Sequence, residues 1–67
     1  MSIGTIVVWR EEKSFGFIKP DTKPWNVFFG REAIKGAKAI SVGARVSCDL
    51  LIDETKHRWR AANVTVL

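Results

Sequence analysis

Lys13-Ser14-Phe15-Gly16-Phe17-Ile18-Lys19 and, shortly after it, Trp25-Asn26-Val27-Phe28-Phe29-Gly30 are the stretches on which the reading of this chain turns. Both have strand composition, and both carry apolar residues at either parity. Side chains alternate between faces along a strand. Phe15, Phe17 and Lys19 therefore share one face, with Gly16 and Ile18 on the other. In the second stretch Val27 and Phe29 lie opposite Asn26 and Phe28. A strand of a small barrel needs a single inward face. Ile18, Val27 and Phe29 suit the interior, which leaves Phe15, Phe17 and Phe28 pointing out. Contiguous exposed rings mark a binding surface. The competing assignment inverts the faces and makes these rings core.

Outward from these stretches, the chain reads as short β segments separated by turn chemistry. Residues 3–10 are rich in β-branched side chains and end in Trp9 and Arg10. Residues 11–13 form a polar break, and 14–19 a second strand. Residues 20–24 form a loop, because Pro20 and Pro24 fix φ and remove ladder donors. A third strand is expected over 25–29, one helical turn over 30–34, and a loop over 35–43. Residues 44–52 follow as a strand with Val46, Cys48, Leu50 and Ile52 on one face. After a polar turn at 53–56, the last strand spans 57–67 with Ala62, Val64 and Val66 on one face. Five short strands without a long helix predict an all-β, antiparallel, five-stranded barrel, since closure removes exposed edges. An OB-type and an SH3-like barrel both fit, and the longer link before the fourth strand favours the OB-fold.

The chain has 67 residues, so a single domain over 1–67 is expected. Such a chain buries only ~60% of its unfolded surface, and marginal stability follows. With one cysteine, Cys48, there is no intramolecular disulfide, and no Cys/His cluster offers a metal site. No cofactor is expected. Eleven Lys plus Arg against seven Asp plus Glu give a net charge of +4, which points to an anionic partner. No apolar run approaches the ~20 residues of a membrane span, and no secretory signal is visible. A lone thiol fits a reducing compartment, so a cytoplasmic location is expected, or a nuclear one in a eukaryote. One His, one Cys, no paired carboxylates and no phosphate-loop glycine spacing argue against an enzyme or a small-molecule substrate. The interleaving of Phe15, Phe17 and Phe28 with Lys13, Lys19 and Arg31 suits single-stranded RNA or DNA. Unpaired bases stack on rings, each worth ~1–3 kcal/mol, without a hydrogen-bond code. Lys and Arg meet the phosphates.

These residues resemble the cold-shock domain family. Residues 13–18 are similar to its first RNP-type motif, usually Lys-Gly-Phe-Gly-Phe-Ile. Val27-Phe28-Phe29-Gly30-Arg31-Glu32-Ala33-Ile34 is similar to its second, usually Val-Phe-Val-His followed by two variable positions and Ala-Ile. Gly4-Thr5-Ile6, Ser41-Val42-Gly43 and Ala61-Ala62-Asn63-Val64-Thr65 extend the likeness over nearly the whole chain. The resemblance implies an OB-fold barrel that binds single-stranded RNA or DNA with low sequence specificity, as an RNA chaperone or a regulator of transcription or translation. It implies stacking on Phe15, Phe17 and Phe28, and a phosphate contact at Lys13. Asn26 stands where an Asp usually lies beside the ligand, which adds donor capacity.

The departures bear on affinity. Gly30 replaces the usual His, and Arg31 a position that is often aromatic, so rings are lost and a guanidinium is gained. The family's Trp-Phe pair in the first strand is reduced to one ring, Trp9, expected to flank the site. Ser14 replaces a glycine. Trp25 and Trp59 lie outside the pattern. Parity places Trp25 inward, as a cap on the barrel end. It places Trp59 opposite Val64 among His57, Arg58 and Arg60, either as an extra stacking ring or as a cover for the barrel end or a dimer contact. His57 and Arg58 are expected to be solvated basic contacts. The binding set is thus Trp9, Lys13, Phe15, Phe17, Lys19, Asn26, Phe28, Arg31, His57, Arg58 and Trp59, on a monomer or weak homodimer. The alternative is a barrel used for protein–protein contact or dimerisation, with little nucleic-acid binding.

Overall fold

The computed structural model describes residues 1–36 and 40–67; part of the loop expected over 35–43 lies outside the described residues. Five strands are found among the described residues: β1 (Ser2–Arg10), β2 (Phe15–Pro20), β3 (Val27–Gly30), β4 (Arg45–Asp53) and β5 (Arg58–Val66). They close in the order β1-β2-β3-β5-β4, with every pair antiparallel except β3 against β5. The arrangement is an OB-fold barrel. Short 3-10 turns at Glu11–Lys13 and Arg31–Ala33 follow β1 and β3. The second is the helical turn expected from the sequence.

Ile6, Ile18, Val27, Phe29, Val46, Cys48, Ala61 and Val64 form the buried core. The face assignment of β2 and β3 is therefore the one read from the sequence: Ile18, Val27 and Phe29 go in. Gly16 is needed on the inner side, because a Cβ there would run into the Val8 carbonyl and crowd the rings of Trp9 and Phe29. Burial pushes the Cys48 thiol pKa up, which makes it a weak nucleophile.

Four parity readings are corrected. The third strand begins at Val27, not at residue 25, because its pairing with β2 ends at Ile18↔Val27. Parity counted back from Val27 thus fails for Trp25, which is not an inward cap but remains 43% exposed. In β4, Ile52 is 60% exposed and not inward. Pairing with β1 stops at Ser2↔Cys48, so beyond it β4 has β5 as its neighbour, and the hairpin runs past the barrel body. In β5 a bulge shifts the register between Ser47↔Thr65 and Asp49↔Ala62, and Asn63 takes a left-handed φ of 52° there. Ala61, not Ala62, shares the interior with Val64. Trp59 has the parity of Ala61 and is half-buried against the core, rather than fully outward as simple alternation gives.

Candidate nucleic-acid interface

Phe15, Phe17 and Phe28 occupy the outer side of β2 and β3. Phe17↔Phe28 and Phe15↔Gly30 are register partners, so the rings converge on one patch. Ring centroids are 5.7 Å apart for Phe15–Phe28 and 6.1 Å for both Phe15–Phe17 and Phe17–Phe28, and the pairs are tilted or edge-on. All three are half-buried, largely against one another. Edge and tilted pairing stabilises the cluster by ~0.5–1.5 kcal/mol per pair. It offsets part of the cost of keeping apolar rings outside the core.

A second bulge shapes the neighbouring strand. The β1–β2 register shifts between Ile6 and Val8, which leaves Val7 as the extra residue. Past it, Val8 faces Phe17, Trp9 faces Gly16 and Arg10 faces Phe15. Without the bulge Trp9 would join the outer rings. Instead it stacks on buried Phe29, with centroids 5.6 Å apart and an angle of 20°. The slot it vacates beside Phe15 belongs to Arg10. Arg60 is the register partner of Phe28 across β3 and β5. Neither Arg10 nor Arg60 was singled out by sequence. Arg10 follows from the Val7 bulge, which leaves no mark in composition. Arg60 follows from the bulge at Asn63, since simple alternation from Val64 would turn it inward with Ala62.

The cations named from sequence behave differently. The Arg58 guanidinium lies 4.7 Å from the Phe28 centroid, where it can also meet a phosphate. Lys13 sits exposed in the first 3-10 turn. Lys19 projects from β2, and its Nζ donates to the Lys23 carbonyl at 3.1 Å. Arg31 is committed elsewhere. Its guanidinium donates to the Glu11 carboxylate, which also accepts from Trp9 Nε1 at 3.0 Å, and it lies 5.3 Å from the Trp9 centroid. Asn26 is exposed in the link just before β3. His57 is exposed in the β4–β5 turn with φ at 53°, so its position also answers a backbone demand. That turn is closed by Asp53 Oδ1, which accepts from the Thr55 and Lys56 amides.

Ser14 ends the first 3-10 turn in the left-handed region, at φ 58° and ψ 40°. This is where a glycine carries no steric cost. Its carbonyl accepts from the Arg31 amide at 3.0 Å, which ties the turn to the end of β3. On the opposite side of the barrel, Arg45 donates to both oxygens of Asp21, at 2.9 and 2.6 Å, and to Thr5 Oγ1. That pairing holds the Asp21 carboxyl below the usual carboxylate range.

No family model matches the chain. It is 30% identical over 66 residues to "Cold shock protein CspA" of Rhizobium meliloti (strain 1021), an alignment covering 96% of each chain. The chain belongs to the cold-shock domain family. The solved structure of drosophila Unr CSD456 superposes on this cold-shock domain with a TM-score of 0.82 at 22% identity. The match covers 98% of this domain and 26% of that chain, and it supports the barrel topology. Among the described residues no helix is long and apolar enough to cross a membrane.

Proposed function

We propose that this cold-shock domain binds single-stranded RNA or DNA with low sequence specificity, and that it acts as an RNA chaperone or as a regulator of transcription or translation. The observation that carries this reading is the patch of Phe15, Phe17 and Phe28 on the outer face, flanked by Arg58, Arg60 and Arg10. Bases stack on the three rings while Lys13, Lys19 and the arginines neutralise phosphates. Asn26 adds a hydrogen bond at the start of β3. The reading needs no catalytic group, metal or cofactor. It places the domain in the cytoplasm or nucleus, as a monomer or a weak homodimer.

The test is a fluorescence-anisotropy titration with labelled oligo-dT and oligo-U at low and raised salt. Binding is expected, with an affinity that falls as salt rises. Replacing Phe17 and Phe28 together by Ala removes two stacked bases and weakens binding by about a hundredfold or more. The fold survives, because neither ring belongs to the buried core. Bound oligonucleotide also raises the thermal midpoint of the wild-type domain. An affinity unchanged in the double variant would refute stacking. No affinity at low salt would leave the domain as a protein-contact module, for which exposed Leu51 and Ile52 of the protruding hairpin provide apolar surface.

A further inference from the structure

The two tryptophans outside the family pattern share one basic neighbour. Trp25 lies in the link between β2 and β3, and Trp59 near the start of β5. One ammonium serves both: Lys23 Nζ is 5.7 Å from the Trp25 centroid and 5.9 Å from that of Trp59. Trp25 contributes nothing to the core and stays 43% exposed. Exposed contacts between a cation and an indole are weak, so this arrangement is readily exchanged for a better one.

The segment that carries Trp25 is nevertheless held in place. The Lys23 amide donates to the Pro20 carbonyl at 3.3 Å, and the Asp21 amide to the Ile3 carbonyl at 2.9 Å. Arg45 grips the Asp21 side chain, Lys19 Nζ binds the Lys23 carbonyl, and Pro24 fixes φ next to the ring. Ordering a link around a ring that the interior does not use lowers the cost of covering that ring later.

The surroundings favour an anionic, stackable occupant continuous with the Phe patch. Arg58, the neighbour of Trp59, lies over Phe28. Lys19, bonded to the Lys23 carbonyl, has the parity of Phe17. The nearest acid by register, Asp53 opposite Arg58, turns one oxygen to the backbone of its own turn. We propose that Trp25 and Trp59 form a further stacking subsite that takes an unpaired nucleobase of the same strand bound across Phe15, Phe17 and Phe28, while Lys23 meets the adjoining phosphate. The proposal rests on the single-strand reading above and extends it to a group that the family pattern leaves out.

The test compares short and long labelled oligo-dT, of about four and about eight nucleotides, both within the ~4–16-nucleotide footprint of an OB-fold. The full chain and a Trp25→Ala variant are titrated with both. Trp25 lies outside the strands and the core, so the variant folds, and its thermal midpoint confirms this. The short ligand is expected to bind both proteins within about twofold, and the long one to lose about tenfold on the variant, the equivalent of one stacked base. Trp25→Phe retains most of the long-ligand affinity. Lys23→Gln lowers the salt slope for the long ligand by about one. Equal effects on both lengths, or none on either, would overturn the subsite and leave the indoles to a protein partner. If the wild-type chain binds neither length, the single-strand reading itself falls, and the subsite with it.

Discussion

The two ends of the aromatic surface differ in a way that composition conceals. At the end where β3 meets the second 3-10 turn, Phe15 faces a bare Gly30, Arg31 is held by Glu11, and Trp9 is drawn inward onto Phe29. At the other end, Trp25 and Trp59 share the Lys23 ammonium next to Arg58 and Phe28. The first end has lost the ring that its relatives' pattern supplies, and its guanidinium is internally satisfied. The second has gained two rings and keeps its cations available. The rings of this chain are thus fewer at the first end and more numerous at the second, with Phe15, Phe17 and Phe28 clustered on β2 and β3. A positive side chain near a ring is also not automatically a phosphate contact. Whether a carboxylate already occupies it decides.

The comparison breaks most readily at the depleted end. Gly30 has φ −105° and ψ 166°, an extended conformation open to any residue. The three atoms nearest a Cβ there all belong to the carboxylate of Glu32, the far end of a flexible, exposed side chain. Gly30→His should therefore fold normally and place an imidazole beside Phe15. An affinity gain of about tenfold for oligo-dT is expected, the value of one additional stacked base. No gain would mean that this end no longer lies on the path of the strand. Glu11→Gln is the milder probe. It removes the acceptor charge while keeping a hydrogen bond to Trp9, and it frees Arg31. Because exposed ion pairs contribute only ~0–1 kcal/mol, stability should change little. Affinity should rise a few-fold, and the slope of log affinity against log salt should steepen by about one. A slope equal to that of wild type would show that Arg31 stays clear of the phosphates even when released.

How much of this was legible in the sequence depends on whether a strand keeps its parity. In β2 and β3 the alternation is unbroken from Phe15 to Ile18 and from Val27 to Phe29, and the inner and outer sets were read correctly. Cys48 and the closed five-stranded barrel followed from the same pattern. Where a bulge intervenes, alternation misleads by one residue. Val7 turns Trp9 inward and Arg10 outward, and Asn63 exchanges Ala62 for Ala61 and brings Trp59 onto the core. Neither bulge carries a glycine that would announce it. Asn63 and Ser14 both adopt positive φ with ordinary side chains, at 52° and 58°. The Glu11–Arg31 pair joins residues 20 apart in sequence, so no local pattern could indicate that this cation is taken.

The smallest expected effect tests why the enriched end is ordered. Asp21 ties the Trp25 link to β4 through Arg45, on the side of the barrel away from Gly30. Its carboxyl pKa is held below the ordinary value mainly by the hydrogen bonds from Arg45, and the depressed value fixes the sign of the linkage. The clamp contributes fully above the unfolded carboxylate pKa of about 3.9, and its contribution is lost as pH falls through the lower folded value. Asp21→Asn should therefore lower the thermal midpoint slightly at pH 7, and wild type and variant should converge as the solution is acidified below that range. Because both partners lie at the surface, the difference is expected to be modest and to shrink with added salt. Binding gives the more discriminating readout. If the clamp pre-orders Trp25, Asp21→Asn should weaken long oligonucleotides slightly and leave short ones unchanged, and it should not alter the gain from Gly30→His, since the two sites lie at opposite ends and share no partner. A loss of the same size for both lengths would mean that Asp21 supports the barrel as a whole, and the order of the Trp25 link would then need another cause.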